Sequence, residues 1–270
     1  MDRELSHDDE PAKAVHRAAR YTVLAKAHRW RPILLMQTGL IYGQSIGQLQ
    51  RAAVAVELLH GASIILDDMP CMDDAVERRG QPTCHKAHGE ATASMASTYL
   101  TTLAFRLLDG YPRGSRIPEL AASTIFEMIG GQEDDLRPAT EIPERDREEL
   151  LVSKTARKTG SLFKLAVRTG AVLGKAPRKE RLALTEFAHY LALSYQFLDD
   201  LSDADGTASA QGKPAHQDAA QGRMTAVTVY GPDETLRLAR MFLDTALDKV
   251  AGIPDSAALH VVARMICMGL

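Results

Sequence analysis

Glu57–Glu90 reads ELLHGASIILDDMPCMDDAVERRGQPTCHKAHGE, and its middle decides the fold. An apolar run (Ala62, Ile64, Ile65, Leu66) delivers Asp67 and Asp68, then Asp73 and Asp74, then Arg78 and Arg79. Far downstream the pattern returns. Leu191–Asp203 reads LALSYQFLDDLSD, a second apolar helix ending in Asp199, Asp200 and Asp203. Residues four apart share a helix face, so Asp199 and Asp203 project together. Carboxylates gathered at the end of a buried helix repel one another and resist desolvation unless a cation neutralises them. Hard oxygen ligands at this spacing suit Mg²⁺, which keeps waters and shares its shell with substrate phosphates.

One acidic run alone is most often a solvated helix end. Here there are two, each behind an apolar segment. Each is also followed by cations, Arg78 and Arg79 after the first and Lys213 after the second. Acids to hold metal and bases to hold phosphate make a diphosphate the expected ligand.

These residues resemble a known family. DDMPCMDDAVERRG (67–80) is similar to the first aspartate-rich motif of the trans-isoprenyl diphosphate synthases, the polyprenyl synthetases, and YQFLDDLSD (195–203) to their second. The likeness runs from Ala18 to the C-terminus and is greatest to bacterial geranylgeranyl diphosphate synthases. It implies an all-α fold, a single-domain isoprenoid synthase bundle of residues 1–270 around a central active-site cavity, with residues 1–11 disordered. It also implies a homodimer that condenses isopentenyl diphosphate with an allylic diphosphate. Asp67, Asp68, Asp73, Asp199, Asp200 and Asp203 would hold about three Mg²⁺ ions.

The same resemblance assigns the remaining site. Lys158 and Thr159, from a KTG motif, would serve the allylic diphosphate and the developing cation, with Gln196, Arg78 and Lys213. Arg223 stands where relatives use lysine. Isopentenyl diphosphate would meet Arg31, Arg79, His60 and Tyr195, and also His28, which replaces a usual lysine. Gln132 and Asp135 would lie near the metal and diphosphate, where Glu133 and Asp134 replace neutral residues and predict an unusually acidic field. Small Ala62 and Ser63, just before Asp67, leave room for a C20 tail. Tyr99, bulky where relatives are small, is the counter-argument, a floor that would stop growth at C15 and make a farnesyl diphosphate synthase.

Composition agrees with this class. The 270 residues are 45% hydrophobic but only 5% aromatic, an aliphatic make-up that favours helices. A net charge of −3 gives no broad basic surface for nucleic acid. The polar start MDRELSHDDEPAK does not read as a signal peptide, and no apolar stretch of about 18 residues is expected to span a membrane. Three cysteines make no disulfide framework, and Cys71, Cys84, His85 and His88 fit no zinc spacing. A cytoplasmic enzyme is expected.

Along the chain, the pattern predicts helices over Ala12–Lys26, Gln48–Leu66, His85–Leu108, Glu119–Leu136 and Pro177–Asp203, then about 233–250 and 255–268, with no strand series. Residues 204–222 read as a polar loop. Three other functions compete. A class I terpene cyclase would carry a different second metal motif, a non-catalytic partner subunit would lose one aspartate cluster, and a phosphohydrolase would need no apolar pocket.

Overall fold

The computed structural model describes residues 1, 5, 12–205 and 223–268, so Lys213 and most of the segment expected to fray lie outside the described residues. Twelve α-helices account for most of what is described. They are α1 (Lys13–Val23), α2 (Trp30–Ile41), α3 (Ile46–Asp67), α4 (Cys84–His88), α5 (Glu90–Leu108), α6 (Ile117–Asp135), α7 (Arg147–Lys158), α8 (Gly160–Leu173), α9 (Arg178–Ala204), α10 (Ala226–Tyr230), α11 (Pro232–Val250) and α12 (Ala257–Met268).

The core forms around α3. A capping box between Ser45 and Gln48 satisfies its first turn, and buried residues then occur on every side of it, from Leu49 to Ile65. A helix apolar all round belongs inside a protein or a membrane. By length and composition α3 could cross a bilayer, which corrects the expectation that no such stretch exists. Yet 67% of its most apolar window is buried inside the fold, and Glu57 in its middle pairs with Arg29. It is a core helix, packed between α2 and α5, while α8 joins α2 to α9 and α9 carries α11.

Two local details set the site. Arg78 and Gln81 pair across a short antiparallel hairpin, β1 (Glu77–Arg78) and β2 (Gln81–Pro82), which the sequence did not predict. Its two-residue turn, Arg79–Gly80, has both φ angles positive (56° and 77°), the geometry that matches strand twist. The alternation along β1 buries Arg78 and exposes Glu77. Elsewhere, a Cβ on Gly131 would stand 2.3 Å from the Lys158 nitrogen, so α6 meets the end of α7 backbone to backbone. That contact brings Asp135 against the lysines of α7.

The continuous helix expected over His85–Leu108 is instead broken. Gly89 sits at φ 81°, which ends α4 and starts α5.

Candidate active site

The aspartate-bearing ends of α3 and α9 open onto one cavity of about 560 Å³ inside the bundle. Asp67 and Asp73 enter from the first cluster and Asp199, Asp200 and Asp203 from the second. Asp68 is buried behind this wall, held by Arg78 at 2.7 Å (Nε) and 2.6 Å (Nη2). Burial alone would pull the Arg78 guanidinium down, but Asp68, Asp67 and Asp73 together raise it.

Asp135, at the end of α6, is the hub of the acidic side. Lys154 reaches it at 2.5 Å, Lys158 at 2.6 Å and Arg223 at 3.3 Å. Burial opposes its charge, but Lys158 and Lys154 hold the carboxyl well below the ordinary range, and Asp135 in turn raises the Lys158 ammonium against its own burial. Arg157 pairs with Asp134. At the end of α6, therefore, α7 supplies a cation for each aspartate.

On the second cluster, the Thr159 hydroxyl donates to Gln196 Oε1 at 2.9 Å, and Gln196 Nε2 donates to Asp200 at 2.9 Å. The Ala226 N–H donates to the other Asp200 oxygen at 2.7 Å. Arg223 reaches across to Asp73 at 2.7 Å.

Facing these acids is a basic wall. Arg31 Nη1 lies 3.0 Å from His60 Nε2. A guanidinium only donates, so His60 accepts at Nε2 and carries its proton on Nδ1. Burial first, then Arg31, Arg79, Arg78 and Arg29, push the imidazole well below its ordinary range and keep it neutral. Burial likewise lowers Arg31 and Arg79. Among the described residues, Arg31 Nε and His60 Nδ1 are buried donors without a hydrogen-bond partner. Two orphaned donors on one wall of a cavity mark a place for an acceptor.

Deeper in, the wall is made of small and apolar side chains, among them Ala62, Ser63, Ser97, Thr101, Ile125 and Leu162. Its hydroxyls donate to backbone carbonyls. Ser97 donates to the Ala62 carbonyl at 2.9 Å, Thr101 to Ser97 at 3.0 Å and Ser63 to His60 at 2.9 Å.

Several residues assigned by resemblance lie elsewhere. His28 is exposed and stacked on Trp30, ring centroids 5.3 Å apart, and is not part of the cavity wall. Tyr99 is corrected as a floor. Ser97 and Thr101, four apart, face the cavity, whereas Tyr99 is rotated about 200° from Ser97 and sits edge-on to His16 at 5.4 Å. Tyr195 packs behind Arg31 against Phe163, and Arg79 is half-buried beside the wall rather than in it. Gln132 and Asp135 do line the cavity. Lys154, which the sequence reading passed over, lines it too, 5% exposed.

The donor set suits a hard divalent cation. Among the described residues no three His, Cys, Asp or Glu side chains are close enough to hold an ion by themselves. Magnesium needs no such cage, because it takes one or two carboxylates and completes its shell with phosphate and water.

Residues 12–252 match the family model described as polyprenyl synthetase. The chain is 36% identical to farnesyl diphosphate synthase of Escherichia coli (strain K12) over 260 residues, 91% of this chain and 86% of that one. It is 34% identical to geranylgeranyl pyrophosphate synthase 6, mitochondrial, of Arabidopsis thaliana over 265 residues, 94% and 79%. Among solved structures, geranyltranstransferase of Thermotoga maritima superposes with a TM-score of 0.82 at 25% identity, covering 99% of this chain and 93% of that one.

Proposed function

The chain belongs to the polyprenyl synthetase family, and we propose that it is a magnesium-dependent synthase condensing isopentenyl diphosphate with an allylic diphosphate to give geranylgeranyl diphosphate. Prenyl transfer follows from the family, whose members depend on divalent metal. The identity of the metal, the residue roles and the product length are our reading. One observation carries it: a single cavity collects both aspartate clusters, a basic wall with orphaned donors and a wall of small and apolar side chains.

Asp67, Asp73, Asp199, Asp200 and Asp203 would hold the metal, which when bound disperses charge on the departing diphosphate. Lys158 and Arg78 steady that diphosphate, with Lys213 from outside the described residues. Breaking the allylic C–O bond leaves a carbocation. The Thr159 and Gln196 oxygens offer it dipoles fixed by their mutual hydrogen bond. Isopentenyl diphosphate, bound by Arg31 and His60, supplies its alkene as nucleophile. A new C–C bond forms, and the proton then lost passes to the released diphosphate.

Product length follows from the deep wall. Ala62 and Ser63 are small, the nearby hydroxyls are taken up by backbone carbonyls, and Tyr99 does not line the cavity. Each further C5 unit then buries apolar surface worth roughly 25 cal/mol per Å². Exposed Phe126 (77%) on α6 supports the homodimer, which we place in the cytoplasm.

The test is to incubate the protein with isopentenyl diphosphate, an allylic diphosphate and Mg²⁺, then identify products by mass. We expect C20 from the wild type and a shift to C15 in Ala62→Phe. A wild type that stops at C15 overturns the product assignment, and a cyclised hydrocarbon overturns the synthase reading.

A further inference from the structure

The segment 223–226 touches both aspartate clusters. Arg223 reaches Asp73 of the first, and the Ala226 N–H reaches Asp200 of the second, each at 2.7 Å. Between these contacts the Met224 carbonyl accepts from Lys154 Nζ at 2.6 Å. The same ammonium donates to Asp135 at 2.5 Å, so Lys154 joins the segment to the end of α6. Lys154 is 5% exposed. Burying an ammonium is unfavourable unless it is paired and hydrogen-bonded, and an apolar side chain of equal length would fill the same space without that cost. What the lysine adds is a link between a carboxylate on one element and a backbone carbonyl on another.

We propose that Lys154 is a positioning residue for the diphosphate-leaving half of the site. It stakes 223–226 against α6, so that Arg223 and the Ala226 amide meet their two aspartate clusters together. Which substrate this half serves rests on the reading of function given above, whereas the staking rests on geometry alone. Arg31 and His60, on α2 and α3, bond to one another. Loss of the stake therefore falls on one substrate.

The experiment uses Lys154→Met, which keeps length and apolar packing but removes the donor, with Lys154→Arg as the conservative rescue. Outer partners of a ligand-binding group typically carry about 10- to 100-fold in affinity or activity. The Michaelis constant for the allylic diphosphate should rise by that factor in Lys154→Met. That for isopentenyl diphosphate should hold, and Lys154→Arg should recover part of the loss. Amide hydrogen exchange over 223–230 should quicken in the Met variant. Unchanged exchange, an unchanged allylic constant, or both constants rising together overturns the proposal. If the Met variant melts below the assay temperature, the same measurements on Lys154→Gln, which stays polar but loses the charge and reach of the ammonium, decide in the same way. A wild type without prenyl transfer would sink the function reading, and the exchange measurement would still judge the stake.

Discussion

Around Asp135 each charge has a partner, while around Arg31 the donors outnumber the acceptors. Asp135 is met by Lys154, Lys158 and Arg223, Asp73 by Arg223, and Asp68 by Arg78. On the facing wall Arg29, Arg31 and Arg79 gather near Glu57 and a neutral His60. Burial there lowers Arg31 and Arg79, and two donors are left without acceptors. The basic wall is thus a receptor already shaped for an anion, and filling it gives acceptors to two N–H groups that have none among the described residues. On the acidic wall Asp73, Asp135 and Asp200 already hold partners, and Arg223 occupies one of the two Asp73 oxygens. One wall is ready to bind, whereas the other already has partners.

The largest effect should come from the partnered network. Asp199→Ala, or Asp67→Ala, removes a carboxylate from the metal-holding set while leaving the fold intact by circular dichroism. Charge stabilisation of this kind is worth several kcal/mol, so turnover should fall about 1,000-fold or more. A variant that keeps over about a tenth of wild-type turnover breaks the comparison, because the acidic wall would then be structural.

A smaller and more selective effect belongs to the receptor wall. Hydrogen bonds to charged groups are worth about 1.5–3 kcal/mol, so Arg31→Ala should raise the Michaelis constant for isopentenyl diphosphate about 10- to 100-fold. The constant for the allylic diphosphate should stay near the wild-type value. Steady-state kinetics with each substrate varied in turn reads both. If the allylic constant rises instead, the two walls have been assigned the wrong way round.

The parts of this site that the sequence disclosed were chemical contradictions visible in one dimension. Aspartates at the end of an apolar run, as at Asp67 and Asp199, demand a cation wherever the helix goes. Lys158 and Gln196 were reached through motif likeness and do line the cavity. Lys154 was not legible, because its environment is made by Met224, far along the chain, and by a helix contact at Gly131. In sequence it is one polar residue among many in LLVSKTARKTG. Tyr99 was misplaced although a signal existed: Ser97 and Thr101 share a helix face four residues apart, and Tyr99 lies between them on the opposite side. The break at Gly89 depends on a positive φ that the letters do not fix.

His28 gives the smallest expected effect and the sharpest test of where the receptor wall ends. Motif likeness puts it at the usual position of a lysine that meets isopentenyl diphosphate, so His28→Lys would be expected to tighten that substrate by restoring a permanent charge. The structure argues otherwise, because His28 is exposed, stacks on Trp30 and does not line the cavity. An exposed charge at that place is screened by solvent and acts weakly on a buried anion. The diphosphate itself titrates near neutral pH, so the informative quantity is the ratio of Michaelis constants, variant over wild type. Across about pH 6 to 8 that ratio should stay near one. A ratio that falls well below one as pH rises would mean that neutral His28 is a poor substitute for lysine on the substrate. The receptor wall would then extend past Arg31 to the start of α2.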